Sequence, residues 1–229
     1  MALTDVYKDV ITIVNEVERK LGINESTRID QTKTTKLLVD FLNDTIDECN
    51  DYGDWPQMYR TATVSASASV ESYEIAVSAQ IKNVFDVYFD TDKTPLIAVG
   101  VAEIRRLQKT RSFGKPRFFC MVDVSGVNMN MRTSPIPVSA QQGLLFDLAY
   151  YKKNRIYSAV TADSTAVPLF PAKVLIHGVY VKAMLEESGQ QRTAEVQSAE
   201  QDYKRARQEA LNRMQADTAK DVTFYVGRR

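Results

Sequence analysis

Residues 40–60 read DFLNDTIDECNDYGDWPQMYR, and along them the pattern of apolar residues changes from helical to strand-like. Before Gly53 the apolar positions are spaced as on one face of an α-helix, and they are Leu38, Phe41, Leu42, Ile46 and Cys49. Trp55, directly before Pro56, is interpreted as a large core residue. Short alternating or β-branched segments begin after it. The stretch therefore predicts where a helical region passes into a β-rich one.

The same helical spacing predicts further helices at both ends of the chain. The N-terminal one has the stripe Leu3, Tyr7, Val10, Val14, Val17 and Leu21 and ends at Gly22. Residues 32–35 are threonine-rich and offer N-caps for the helix that leads to Trp55. A third helix follows residues 162–171, with Leu175, Ile176, Val179, Tyr180, Ala183 and Met184. The fourth carries an alanine-rich helix-packing seam, which lets another helix approach closely: Val196, Ala199, Tyr203, Ala206, Ala210 and Met214.

Six segments of the middle third have strand-like patterns: residues 59–64, 72–77, 84–89, 96–99, 117–122 and 127–131. Residues 101–107 have helical spacing and predict one short helix among the strands. Residues 144–152 fit either a strand or a helix, because their apolar run contains no β-branched residue. The middle third is therefore predicted to be β-rich.

This order of helices, strands and helices predicts an α+β chain, in which terminal helices pack as a bundle and carry a β-rich insertion. We expect a helical domain of residues 1–54 and 162–219 and an insertion of residues 55–161. Residues 220–229, KDVTFYVGRR, are expected to be a C-terminal extension with strand-like alternation and no later element to cover it. The extension predicts an interface with another protein or a neighbouring copy, or else a frayed terminus. The predicted interface residues are Val222, Phe224, Tyr225, Val226, Arg228 and Arg229.

Composition and charge restrict the class of protein. The chain has 229 residues, of which 44% are hydrophobic and 25% charged, as in folded globular proteins. The 29 basic residues equal the 29 acidic ones, so the long-range attraction to phosphate that a dedicated nucleic-acid-binding domain shows is not expected. We expect neither a signal peptide nor a membrane-spanning segment. Cys49 and Cys120 are interpreted as small buried hydrophobes rather than a disulfide.

No pattern in the sequence nominates a catalytic residue, a cofactor or a metal site. The only histidine, His177, lies on the apolar third helix, and the common phosphate-binding loops are absent. The acidic cluster Asp44, Asp47, Glu48, Asp51 and Asp54 is interpreted as a solvated face, with hydrolase or cation-binding roles as alternatives. The basic and aromatic residues between 105 and 119 are interpreted as hairpin packing rather than a nucleic-acid patch. We therefore predict that the chain is not an enzyme.

The order and spacing of five segments resembles the head-to-tail adaptor family of tailed bacteriophages, the portal-binding connectors known from short-tailed phages. The first is residues 40–60, quoted above. The others are GKPRFFCMVD (114–123), IPVSAQQGLLFDLAYYKKN (136–154), DSTAVPLFPAKVLIHGVYVKAMLEE (163–187) and AEQDYKRARQEALNRM (199–214). The family often has a proline after the Tyr-Tyr step, where this chain has Lys152.

The resemblance implies a structural subunit of a homo-oligomeric ring, commonly a dodecamer. Such a ring docks on the portal protein, presents its other face to tail proteins (nozzle or tail hub), lets genomic DNA pass through its lumen and involves no membrane. It implies a place at the head-to-tail interface of the virion, and in the host cytoplasm during assembly. Balanced charge is compatible with a DNA conduit, because a strongly cationic wall would retain DNA. The alternatives are an adaptor with added peptidoglycan hydrolase activity and a nucleic-acid-binding module.

Overall fold

The computed structural model describes residues 6–76, 81–90, 94–125, 128–154, 156–158 and 160–226. Its described part contains helices and two β-sheets, so the α+β prediction is confirmed. The chain divides into two compact units. We call Met1–Gln57 together with Asn154–Arg229 the helical unit, and Met58–Lys153 the β unit.

Five helices are found among the described residues: α1 (Val10–Lys20), α2 (Lys33–Tyr52), α3 (Val101–Lys109), α4 (Ala172–Glu187) and α5 (Ala194–Val226). The Asp9 carboxylate accepts a hydrogen bond from the Thr12 amide at 3.0 Å, and this N-cap places the start of α1 at Val10, after Tyr7. Leu3 lies outside the described residues. Thr32 caps α2 by accepting from the Thr35 amide at 3.0 Å, as the threonine-rich start predicted.

The β unit contains the two sheets. In the first, β1 (Tyr59–Ser65), β8 (Leu145–Lys152), β3 (Ile81–Phe89) and β4 (Thr94–Pro95) are neighbours in that order. In the second, the order is β2 (Ser72–Ala76), β7 (Asn128–Ser134), β6 (Phe118–Ser125) and β5 (Ile97–Ala98). Inward-facing side chains of both sheets form one core that includes Tyr73, Phe89, Phe119, Met131 and Phe146. The ambiguous residues 144–152 thus supply a strand, β8, which pairs with β1 on one side and β3 on the other.

In the helical unit, α4 packs against α1, α2 and α5. Contact with three helices explains why α4 is apolar on several sides, and its buried residues include Val174, Leu175, Ile176, Val179 and Val181. The loop between α1 and α2 is held by the buried carboxylate of Glu18. This carboxylate accepts hydrogen bonds from the Ser26 amide (2.8 Å) and the Ser26 hydroxyl (2.9 Å), and from the Thr35 hydroxyl (3.1 Å). Hydrogen bonding makes this buried charge compatible with the fold.

Amide side chains of α2 hold the segment that returns from the β unit. Asn43 donates to the carbonyl of Tyr157 and accepts from its amide, both at 2.8 Å. Asn50 accepts from the amide of Asn154 at 3.0 Å. The chain therefore re-enters the helical unit along α2.

Trp55 is fully buried, which confirms its interpretation as a core residue. Its indole nitrogen donates to the carbonyl of Cys49 at 2.8 Å, and its ring packs edge-on against Phe170 with centroids 5.2 Å apart. Cys49 and Cys120 are buried free thiols, as expected. No helix of the described residues has the length and hydrophobicity that a bilayer crossing requires.

The strand-like prediction for residues 220–229 is wrong as far as Val226, because α5 continues to that residue. Val222, Phe224 and Tyr225 lie within this helix, and Arg228 and Arg229 lie outside the described residues. Extending an existing helix costs far less than nucleating a new element. Val222 and Val226 are also one helical turn apart, so a short alternating pattern did not distinguish strand from helix.

A candidate interface cleft in the helical unit

Close approach of α2, α4 and α5 depends on Gly178 in the middle of α4. A Cβ atom at this position would lie 2.3 Å from Cγ2 of Thr45 on α2 and 3.0 Å from Cε2 of Tyr203 on α5. No side chain fits there without displacement of a neighbour. Glycine at this point therefore sets the distance between the three helices.

The helix-packing seam of α5 lies along this contact. Val196, Ala199, Tyr203 and Ala206 are buried, and Ala210 and Met214 are half-buried. Leu211 is also buried, and a Cβ at Gly53 would lie 2.9 Å from its Cδ2 atom. Leu211 was not predicted as a core residue, because it lies outside the alanine-rich stripe of α5.

A cleft of about 260 Å³ opens where α2, α4 and α5 meet. Its apolar lining comes from Gly178, Val181, Leu185 and Tyr203. Its charged lining comes from Glu48, Lys182, Arg192, Glu200, Lys204 and Arg207. Four cations thus face two carboxylates, so the cleft has a local positive excess in a chain whose formal net charge is zero.

Both carboxylates of the cleft are already held by cations. Glu48 accepts from the Lys182 ammonium at 2.5 Å and from the Tyr203 hydroxyl at 3.1 Å. Glu200 lies 3.6 Å from Nε of Arg192. Each carboxylate of the cleft therefore has a cationic partner within the helical unit.

Lys204 and Arg207 lack a carboxylate partner among the described residues. The guanidinium carbon of Arg207 lies 3.8 Å from the ring centroid of Tyr52 and 5.1 Å from that of Tyr203. Its Nε atom is buried and has no hydrogen-bond partner. Contact with two aromatic rings restrains the guanidinium, and among the described residues no carboxylate forms an ion pair with it.

The other residues that the sequence analysis singled out lie elsewhere. Asp44, Asp47 and Asp51 are exposed on α2, and only Glu48 of the acidic cluster lines the cleft. His177 is half-buried on α4, where burial and the nearby Lys20 and Lys173 lower its pKa. Among the described residues, no group of three or more His, Cys, Asp or Glu side chains is placed to hold a metal ion.

The basic and aromatic residues between 105 and 119 do not form a stack of exposed rings. Phe113 is exposed, whereas Phe119 is buried in the β unit. Arg106 pairs with Glu103 at 2.6 Å, and Lys115 lies 3.8 Å from the carboxylate of Asp90. These contacts neutralise part of the stretch within the chain.

Burial controls the ionisation of Cys49 and Tyr203. Burial raises its pKa to about 12, against a smaller opposing effect of its contact with the Tyr203 hydroxyl at 3.8 Å. Burial likewise raises the pKa of Tyr203 far above its ordinary value. Neither group is ionised near neutral pH, so neither is an activated nucleophile.

We expect Cys49 to resist alkylation in the native protein. At about pH 8 its thiolate fraction would be on the order of 1 in 10,000, and it rises only as the pH approaches the raised pKa. Iodoacetamide labelling, read by peptide mass spectrometry, should be at least about a hundredfold slower in native than in guanidinium-unfolded protein. Equal rates in the two states would contradict the burial of Cys49.

No curated protein matches the chain. The family model described as SU10 adaptor protein matches residues 8–228. The matched range includes the whole β unit and nearly all of the helical unit.

Proposed function

The chain belongs to the SU10 adaptor protein family, and we propose that it forms a homo-oligomeric ring that joins the phage portal to the tail. The family makes it a structural adaptor protein of a bacteriophage. In the proposed virion the ring is a dodecamer, docks on the portal and presents its other face to nozzle or tail-hub proteins. Genomic DNA passes through its lumen. The family match across both units is the observation that carries this proposal.

The chemistry of the cleft supports a role in binding proteins. Its carboxylates are paired, and burial holds the phenol of Tyr203 in its neutral form. Its remaining cations, Lys204 and Arg207, suit contact with acidic side chains of a partner. A closed ring requires each copy to present two different complementary surfaces, one to each neighbour.

We further propose that the end of α5 is a contact with the portal or a neighbouring subunit. The helix is 33 residues long, or about 50 Å. Leu211 is buried, whereas Asn212, Arg213 and Gln215 are exposed. The docking residues proposed at its end remain Val222, Phe224, Tyr225, Val226, Arg228 and Arg229. A helical end would dock in a groove rather than add a strand to a sheet.

Deletion of residues 220–229 is expected to weaken portal binding by at least about tenfold. Burial of Val222, Phe224 and Val226 in the interface would contribute about 1.5–3 kcal/mol each to the binding free energy, before the entropic cost of ordering the segment is subtracted. The melting temperature should not change, because the helix-packing seam from Val196 to Met214 lies outside the deleted residues. Titration onto purified portal, followed by mass photometry, measures the effect. As a matched control, Arg228→Ala with Arg229→Ala should act weakly, because exposed ion pairs contribute little. Unchanged affinity for the portal after the deletion would contradict the proposed contact at the end of α5.

The ring itself is tested by negative-stain imaging of the purified chain, alone and mixed with portal. A ring that caps the portal and leaves a central channel is the expected image. Portal particles without added density, at protein concentrations well above those in an infected cell, would contradict the proposed function.

A further inference from the structure

Lys204 and Arg207 form a prepared site for carboxylates at the edge of the cleft. They are three residues apart on α5, so their side chains leave the same side of the helix about 5–6 Å apart. Tyr52 and Tyr203 hold the Arg207 guanidinium in place, and its buried Nε lacks a partner. A cation that is already immobilised and partly dehydrated binds a carboxylate with a more favourable free energy than a mobile surface cation does, because less ordering and desolvation remain to be done.

Complementary charge lies on the same unit of the chain. Asp40, Asp44, Asp47 and Asp51 recur at steps of four, three and four, so they form one stripe along about 16 Å of α2. We call this the acidic stripe. All four side chains are exposed, and among the described residues none has a cationic partner. The buried residues Leu42, Ile46 and Cys49 lie on the other side of α2, so the stripe faces away from the core.

We infer that the cleft of one copy receives the acidic stripe of α2 from the neighbouring copy, with Asp44 and Asp47 against Lys204 and Arg207. This inference deepens the proposed ring and rests on it. Asp44 and Asp47 are three residues apart, as are Lys204 and Arg207, so the two pairs have matching separations. Arg207 is half-buried, so its contact with a carboxylate is less screened by water than a contact between two exposed side chains.

Ring symmetry is compatible with this pairing. Rotation about a ring axis places equivalent parts of every copy at the same height, so a head-to-tail contact joins two different surfaces at one level. Glu48 lines the cleft and follows Asp47 directly, so the stripe and the cleft lie at the same level of α2. Of the basic residues between 105 and 119, Arg106 and Lys115 already pair with Glu103 and Asp90, which reduces the positive charge that this stretch offers to the stripe.

Charge exchange in the full-length chain tests the inference. The variants are Lys204→Glu with Arg207→Glu, Asp44→Lys with Asp47→Lys, and the combination of all four. Each is titrated onto purified portal, and ring formation is followed by mass photometry. Either pair alone should raise the concentration for half-maximal ring formation by at least about tenfold, and the combination should restore most of the wild-type value.

Arg205→Glu is the matched control, because Arg205 is exposed on α5 next to Lys204 and does not line the cleft. It should leave ring formation unchanged. Circular dichroism establishes folding, and the exposed aspartate pair still tests the contact if the arginine variant does not fold. Two results would overturn this inference and leave the proposed ring in place. In the first, the wild-type chain forms rings and neither charge-reversed pair weakens ring formation. In the second, both pairs weaken ring formation and the combination of all four substitutions does not restore it. Absence of wild-type rings would overturn the proposed function and this contact with it.

Discussion

Trp55→Ala should destabilise the helical unit by about 3–5 kcal/mol, the usual cost of removing a fully buried large aromatic side chain. The variant leaves a cavity beside Phe170 and removes the hydrogen bond from the indole to the Cys49 carbonyl. That carbonyl lies near the end of α2, where the chain leaves the helical unit. Chemical denaturation followed by helical ellipticity measures the change in the free energy of unfolding.

Trp55→Phe separates the contribution of ring packing from that of the indole hydrogen bond. It keeps a ring against Phe170 and loses only the indole donor and part of the volume. We expect it to recover more than half of the stability lost in the alanine variant, because a hydrogen bond contributes about 1 kcal/mol. An alanine variant within about 1 kcal/mol of wild type would show that Trp55 does not anchor this junction.

Gly178→Ala should also destabilise the chain, by about 1–3 kcal/mol, although helix propensity alone favours alanine by about 1 kcal/mol. The variant is expected to be less stable than wild type because the added Cβ would lie 2.3 Å from Cγ2 of Thr45, which is closer than van der Waals contact. Trp55 is the only tryptophan of the chain and is buried in the helical unit, so its fluorescence reports unfolding of that unit. A variant as stable as wild type would contradict the close approach of α2 and α4.

Thr45→Ser tests the same contact from the other side. Serine keeps the hydroxyl, which donates to the Phe41 carbonyl at 2.7 Å, and removes the Cγ2 methyl. In combination with Gly178→Ala it should recover part of the lost stability, so the two substitutions should not be additive. Additive losses would mean that the added methyl group meets a different neighbour.

Local patterns predicted most elements whose signal is strong over a whole segment. Residues 101–107 indicated a helix within the β region, and α3 spans Val101–Lys109. Residues 59–64 indicated a strand, and β1 spans Tyr59–Ser65. Residues 144–152 remained ambiguous because only pairing with β1 and β3 makes them a strand, and pairing is a long-range property.

The C-terminal error has a different physical origin. The strand prediction rested on the alternation of apolar and polar residues within 220–229 and did not consider the helix that precedes them. In the structure α5 extends through Val226 instead. Helix propagation adds one hydrogen bond for each residue it fixes, whereas a lone strand gains none without a partner. The end of a long helix is therefore predicted poorly when its last turns are considered in isolation.

The cleft could not be predicted from local sequence. Glu48 was noticed as part of an acidic cluster, but Lys182 is 134 residues away and Tyr203 is 155 residues away. Arg207 carried no signal because its role depends on the rings of Tyr52 and Tyr203. The alanine-rich seam was the one local indication that another helix approaches α5 in this region.

Native mass spectrometry of the chain bound to purified portal counts the adaptor copies in the complex. We expect a single dominant complex whose mass corresponds to one closed ring per portal, with one adaptor copy for each portal subunit. A complex with a variable number of adaptor copies, or a fixed number that the portal symmetry does not accommodate, would contradict the ring.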